Sequence, residues 1–397
     1  MKTIAVLGTL DTKGEEHAFV AELIRQRGHQ ALLIDAGTQG GPTVTPDVAR
    51  SELIGDRTFT DRGEAVAAMA ESAAVFCAEL VAEKKIDGII SLGGGGGTAI
   101  GTAVMRALPV GFPKLMVSTL AASESAPVYM GVKDVTMMPS IVDVAGLNRI
   151  SRPIFANAAG AICGMVEMTE PVAADKPVIA ASMFGNTTDC VNHAKGILEA
   201  AGYEVLVFHA TGTGGRTMES LIEAGLVTGV LDLTTTEWAD EYVGGILSAG
   251  PTRLEAAARA GVPAVIAPGC LDMVNFGEPE TVPAQYAGRI FYHHNPQVTL
   301  MRTSADECLA LGKILAEKIN CSTGPVKVLL PWDGISVISQ PDGPFHDGAA
   351  DEALFDTLKM NLREDIPVEE FDCAINDPRF AEAAAQALLG FMEFQET

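Results

Sequence analysis

Apolar residues run almost unbroken through short segments of this chain, and each run stops at glycine, serine, threonine or aspartate. Residues 2–8 (KTIAVLG), 31–34, 89–92, 114–117, 226–233, 263–267 and 326–330 are of this kind. Continuous rather than alternating hydrophobicity predicts strands covered on both faces. Between them, apolar residues recur at helical spacing. Phe19, Val20, Leu23 and Ile24 form one such stripe, ended by Gly28. Residues 65–83, 304–319, 349–362 and 378–393 predict further helices, and 151–169 a closing or dimer-forming one. Thr12 with Glu15, and Ser304 with Glu307, read as capping boxes. Residues 42–62 read as a polar surface connection, and 268–302 as a long irregular stretch. Strands alternating with helices predict an α/β protein: two Rossmann-like doubly wound parallel-sheet domains facing a cleft. Ligands of such sheets lie outside the carboxyl ends of the strands.

The opening plan recurs further on. Residues 176–181 (KPVIAA) repeat the first strand, and Asn186-Thr187-Thr188-Asp189 opens the helix. Ile197 and Leu198 stand where Leu23 and Ile24 stood, Gly202 matches Gly28, and Gly214-Gly215 falls on Gly40-Gly41, all at an offset of 174. Ungapped agreement over about forty positions predicts two similar units, each opening its own domain. The domains are expected at 1–173 and 174–397, with the boundary at 171–176.

The stretch 86–105 stands apart. Its strand stops at five consecutive glycines, Gly93, Gly94, Gly95, Gly96 and Gly97, after which Thr98 leads into a helix. Glycines let a ligand approach main-chain N–H groups, and the helix start adds unpaired donors and a positive dipole end. Together these predict a phosphate-sized anion site. No Lys-Ser/Thr pair follows, so this is not a P-loop. The plainer alternative is a tight turn that binds nothing, but five glycines cost conformational entropy that a bare turn does not need.

A formal charge of −24 over 397 residues argues against nucleic acid or an anionic membrane as partner. A bound polyphosphate must then be held by backbone amides and a few local cations. Seven cysteines without a CxxC pair suggest neither a disulfide framework nor a zinc knuckle. Reduced thiols, no hydrophobic signal segment at the start and no uninterrupted apolar run of bilayer length lead to the expectation of a cytoplasmic protein.

Several polar groups sit where strands end. Asp11, Thr12 and Lys13 follow the first strand: Lys13 to neutralise phosphate, Asp11 to hold Mg²⁺, Thr12 to add a hydroxyl, or else all three as a plain helix cap. Gly37 and Thr38 follow the second strand, and Ser118, Thr119 and Ser123 follow a later one. Thr98 either donates to phosphate or caps its helix. Asp143 with Asn148 and Arg149 reads as another cleft loop or as a solvated turn, the second being the plainer reading. In the second half the candidates are Asn186, Thr187, Gly212, Gly214, Gly215, Arg216, Glu237, Cys270, Asp272, His293, His294 and Arg302. Adjacent strand residues point to opposite faces, so His293 and His294 make a poor chelating pair. Either ring fits a general base or hydrogen-bond donor better, and the catalytic candidates are Lys13, Glu237 and His294.

Three motifs carry a resemblance: GTLDTKGEE at 8–16, SLGGGGGT at 91–98 and HNPQVTLMRT at 294–303. Through them, and over essentially its whole length, the chain resembles the ATP-binding family named after the tomato mosaic virus replication inhibitor of plants. The resemblance implies two Rossmann-like domains, nucleotide binding by the first and self-association into a homo-oligomer. It leaves the reaction open. Two functions are therefore expected: an enzyme using ATP and Mg²⁺ on a small acidic second substrate, or a regulatory, protein-binding module in which ATP is a structural ligand.

Overall fold

The computed structural model describes residues 1–169 and 176–393. Of the boundary expected at 171–176, only Lys176 lies among the described residues. The chain divides into two compact units, Met1–Val172 and Ala173–Thr397.

The first unit runs β1 (Thr3–Gly8), α1 (Leu10–Gln26), β2 (Gln30–Asp35), α2 (Arg50–Ile54), α3 (Arg62–Ala82), β3 (Gly88–Gly93), α4 (Gly95–Ala107), β4 (Lys114–Ser118), α5 (Ala126–Met130), β5 (Thr136–Pro139) and α6 (Ser151–Glu167). Its five strands are parallel in the order β2-β1-β3-β4-β5. Both faces of the sheet are covered. Ile4, Val6, Ile90 and Leu92 pack under α1 and α6 with Val20, Ile24, Phe155 and Ile162. Ala5, Leu7, Ile89 and Met116 pack under α3 and α4 with Met69, Cys77, Ile100 and Val104. Two apolar faces are why the strands read as continuous hydrophobic runs. Burying a side chain such as Leu7 or Ile90 completely contributes about 2 kcal/mol each. The helix expected at 151–169 closes this core. By length and composition α3 could cross a membrane, although Glu71 and Glu79 interrupt it; here Ala65, Met69, Ala73, Cys77 and Leu80 face the interior.

The second unit runs β6 (Val178–Met183), α7 (Thr188–Ala200), β7 (Glu204–His209), α8 (Thr213–Glu223), β8 (Gly229–Thr234), α9 (Glu237–Val243), α10 (Glu255–Ala260), β9 (Ala264–Gly269), β10 (Met273–Phe276), β11 (Phe291–Asn295), β12 (Val298–Arg302), α11 (Ala305–Ile319), β13 (Val326–Pro331), α12 (Gly348–Asn361), β14 (Val368–Phe371) and α13 (Pro378–Glu393). Its main sheet is parallel in the order β14-β13-β9-β8-β6-β7. The order β7-β6-β8-β9-β13 repeats that of the first unit.

Two expectations are corrected. Residues 268–302 are irregular only in part: 277–290 is turns and short 3-10 segments, but β10, β12 and β11 form a three-stranded antiparallel sheet, with Phe276, Phe291, Leu300 and Met301 among its apolar positions. Thr12 and Glu15 form no capping box. Helix α1 begins at Leu10 with Thr9 as N-cap, and Lys13 breaks its regularity with φ −135° and ψ 31°. The Ser304–Glu307 box does form, at the start of α11.

Candidate functional site

In the sheet order β2-β1-β3 the chain reverses direction between β1 and β3, and a crevice opens outside the carboxyl ends of strands at such a point. A cavity of about 240 Å³ lies there. Its walls come from the turn after β1 (Thr9, Asp11, Thr12, Lys13), the loop after β2 (Thr38, Gln39), the start of α3 (Arg62, Val66), the start of α4 (Gly94, Gly95, Gly96, Gly97, Ile100) and Asp143. Asp11, Thr12, Lys13, Thr38 and four of the five glycines were expected from sequence.

The glycines divide by purpose. A Cβ at Gly93 would lie 2.7 Å from the Cα of Gly97, so Gly93 is demanded by the turn itself. A Cβ at Gly95 would meet nothing within 4 Å, and at Gly96 only Val66 at 3.8 Å and Arg62 Nη2 at 4.0 Å. None of the five has a positive φ. Neither packing nor backbone geometry therefore requires glycine at 95 or 96. The run is also not one loop, because Gly95, Gly96 and Gly97 already form the first turn of α4. Gly94 is its N-cap and has no side chain to receive their amides.

Three polar groups shape the other walls. Asp11 Oδ2 accepts the amides of Thr38 (2.9 Å), Gln39 (2.8 Å) and Gly40 (3.3 Å), pinning the loop after β2. Its other oxygen lies 3.2 Å from the Thr12 hydroxyl. The carboxylate expected to hold Mg²⁺ is thus engaged as an anchor. Lys13 Nζ donates to the Val144 carbonyl, which fixes its stem along the cavity wall. Arg62 and Asp143 line the cavity and make no hydrogen bond or ion pair among the described residues. Asp143 is exposed in an irregular loop, as a solvated turn would be, and also borders the cavity. Asn148, by contrast, caps α6 through Oδ1, which accepts the Ile150 and Ser151 amides.

His17, which sequence reasoning passed over, holds the two sides of the cavity in register. Its Nδ1–H donates to the Lys13 carbonyl at 2.7 Å, so Nε2 is left to accept the Leu92 amide at 3.3 Å. The ring is fully buried, and burial lowers its pKa, in keeping with a neutral imidazole. Gly8 lies flat against it, where a Cβ would fall 2.0 Å from Nε2. Only that pairing of a strand-ending glycine with a helical histidine was visible beforehand.

Four expected contacts are turned elsewhere. The Thr98 and Ser118 hydroxyls are buried and bond to each other at 2.7 Å, neither facing the cavity. Gly37 donates its amide to the buried Asp35. Ser123 bonds to the Leu120 carbonyl and Ser125 in an exposed turn. Thr119 lines a neighbouring cavity of about 530 Å³ with Ser118, Ala122 and residues 139–143. The two cavities share Asp143. At the rim, Ile141 holds φ +65° with its side chain 76% exposed, a strained setting for a β-branched residue.

The candidates of the second unit serve its interior. Glu237 is buried and accepts the amides of Gly212 (2.7 Å) and Gly215 (3.1 Å) on Oε1, while Oε2 receives Arg253 Nε at 2.7 Å. This corrects Glu237 as a catalytic group and the glycine loop as a cleft wall. A Cβ at Gly214 would lie 1.7 Å from the His209 carbonyl oxygen, and one at Gly215 2.1 Å from Glu237 Oε2. Thr187 is buried against Thr234, Arg216 is exposed and reaches only Thr213, and Asn186 lies beside Asn376 and Met273. Arg302, 2% exposed, ties β12 to Asp351 (2.7 Å) and the Phe345 carbonyl (2.8 Å). Asp272 is buried, accepts from Ser336, and has its pKa pushed up to about 6 by burial. Burial raises the pKa of Cys270 well above the ordinary thiol value, which removes it as a nucleophile. His293 lines an apolar groove with Phe291 and Pro279, and His294 is exposed near Tyr292. No cluster of three metal-ligating side chains occurs among the described residues.

These features define a two-unit α/β protein whose first unit carries a polar, glycine-floored cavity at the switch point of its sheet. The chain belongs to the Uncharacterised protein family (UPF0261): residues 2–171 match its N-terminal domain and 176–392 its C-terminal domain. It is 48% identical to a UPF0261 protein of Clostridium tetani, over 99% of each chain. It is 36% identical to the ToMV resistance protein Tm-1(GCR237) of Solanum lycopersicum, over 96% of this chain and 55% of that one. The relationship expected from the three motifs is thereby found. Among solved structures, UDP-GlcNAc 2-epimerase from Neisseria meningitidis bound to UDP-GlcNAc aligns with 91% of this chain and 100% of its own, at 10% identity and a TM-score of 0.25.

Proposed function

We propose that the first unit binds ATP, with its phosphates over the start of α4. The observation that carries this reading is the open floor at Gly95 and Gly96, where the fold has no use for glycine and a ligand does. Three amides without a cap, the dipole of a 13-residue helix and the cations Lys13 and Arg62 converge on that floor. Their local charge offsets the repulsion of a chain carrying −24 overall. The adjoining cavity, with Thr119, Ser140 and the apolar Ala122, Pro139 and Val142, suits the nucleoside. Asp143, between the two and without a partner, is the acid best placed to meet Mg²⁺ carried by the phosphates.

Calorimetric titration of the purified chain with ATP and Mg²⁺ tests the reading, with Lys13→Ala and Arg62→Ala alongside. Binding is expected at one site per chain, weakened about tenfold in each variant, the loss of one charge-assisted contact. Absence of binding, or equal affinity in all three proteins, removes the proposal. Phosphate release from the same samples separates an ATP-using enzyme from a module holding ATP as a structural ligand. Equal release from wild type and Lys13→Ala removes the enzyme.

A further inference from the structure

The loop after β2 borders two cavities. Thr38 and Gln39 line the one described above, while Gly40 and Gly41 line another of about 410 Å³, closed by α2 and the residues on either side of it. Asp35, the last residue of β2 and only 1% exposed, lines this second cavity. Its Oδ1 accepts the amides of Leu10 (3.3 Å) and Gly37 (2.8 Å). Its Oδ2 accepts no hydrogen bond among the described residues and is not sealed from solvent, so it is the oxygen that opens to the cavity. Burial holds this carboxyl above its ordinary pKa, as expected of an oxygen with no donor of its own. Arg50 lines the same cavity, half-buried, and makes no hydrogen bond or ion pair among the described residues, with Asp35 or any other group. Arg57 joins it; its Nε and Nη2 donate to the Ile54 carbonyl and the Ser72 hydroxyl at 3.2 Å each, and Nη1 is left over. A Cβ at Gly41 would meet nothing within 4 Å, and its φ is not positive, so neither packing nor backbone requires glycine there.

A buried acceptor and an unpaired cation that line one cavity without neutralising each other suit a ligand that meets both. The lining carries two acids, Asp35 and Asp56, and two arginines, so its charge favours neither a simple anion nor a simple cation. We infer that this cavity binds an amino acid as its zwitterion, with the ammonium donating to Asp35 Oδ2 and the carboxylate received by Arg50 and Arg57. Charge-assisted contacts of this kind are about twice as strong as neutral ones. Pro42, Pro46 and Ala49 supply an apolar wall for the ligand's carbon chain. The inference does not depend on ATP binding, and its test runs without nucleotide, so either proposal can fail alone.

The probes are L-alanine and γ-aminobutyrate, which space the two charges differently. Propionate and ethylamine, each carrying one of alanine's charges, are the controls, and saturation-transfer NMR on the full chain reads the affinities. At least one amino acid is expected to bind about tenfold tighter than either control, the loss of one charge-assisted contact. Arg50→Gln has no partner to lose, so it should fold as wild type does and weaken that binding about tenfold. Asp35→Asn keeps Oδ1 for the Leu10 and Gly37 amides and sets an amino group against the ligand's ammonium, with a loss at least as large. Should Asp35→Asn not fold, Arg50→Gln decides alone. No binding of either amino acid, binding no tighter than the controls, or equal affinity in Arg50→Gln overturns the inference. Xylitol bound in place of both amino acids also overturns it, since the cavity would then take a neutral polyol.

Discussion

Replacing glycines one at a time along residues 93–97 separates a turn from a binding floor, because the two readings give opposite signs. At Gly95 an added methyl meets nothing within 4 Å, and at Gly96 its nearest neighbours lie at ordinary contact distance. Both residues are in the first turn of α4. Alanine there restricts the unfolded chain and suits the helix, so Gly95→Ala and Gly96→Ala should each stabilise the free protein by about 0.5 kcal/mol. At Gly93 the methyl would lie 2.7 Å from the Gly97 Cα, a backbone atom that no side-chain rotation can move away. Gly93→Ala should therefore cost about 2 kcal/mol. Urea unfolding of the three variants reads these differences. Binding should move the other way at the floor. Gly96→Val fills part of a cavity of about 240 Å³ and holds a phosphate off the amides. It should weaken ATP at least tenfold, about 1.4 kcal/mol, in a protein no less stable than wild type. If Gly95→Ala and Gly96→Ala lose as much stability as Gly93→Ala, the glycines are structural. If Gly96→Val binds ATP as wild type does, the cavity is not the phosphate site.

Arg253→Met leaves Asp232, Glu237 and Glu219 facing one another without their cation, and should lower stability by roughly 4 kcal/mol in the same assay. Asp240 is buried beside Asn275, and its pKa is pushed up to about 7, chiefly by burial. An unfolded aspartate titrates near 4, so the folded chain holds the extra proton between about pH 4 and 7, and stability falls through that window as pH rises, by roughly 1.4 kcal/mol per unit from this group. Asp240→Asn should remove that slope with little loss at low pH, since the unpartnered Asn275 Oδ1 can turn to accept the new amide. Parallel pH profiles for the two proteins, by urea unfolding from pH 4.5 to 8, would refute this.

The order of elements was legible because strands covered on two faces cannot hide their hydrophobicity. The 174-residue offset was equally plain. It places β7 (Glu204–His209) on β2 (Gln30–Asp35) residue by residue, and α7 (Thr188–Ala200) on the part of α1 beyond the Lys13 kink. The three-stranded sheet of β10, β11 and β12 escaped because its strands are short and lie between proline-marked turns. At the site, Asp11, Thr12, Lys13 and the glycines could be named, since strand ends announce themselves. Arg62 could not, because it opens a helix beyond a polar connection and only the fold brings it to the cavity; Asp143 was named, but its loop has no pattern that chooses between a cleft and a solvated turn. Glu237, Arg302 and Asp272 were misread for a related reason. A carboxylate that receives its own chain's amides has the same sequence signature as one that faces a substrate.

That ambiguity is also what distinguishes the two units. Both must satisfy the amides of the loop after their edge-side strand, and each does so with an acid of its own: Asp11 in the first unit and Glu237 in the second. The acids come from different places. Asp11 stands at the end of β1 and pins the loop from the side, which leaves the start of α4 uncovered. Glu237 stands at the start of α9 and reaches across to the loop after β7, while the Trp238 and Ala239 amides beside it are taken by the Thr235 and Thr236 carbonyls. Pinning the loop from the end of β1 therefore leaves the start of α4, with Gly95 and Gly96, free of a capping side chain, and that is the position to which the proposed anion site is assigned.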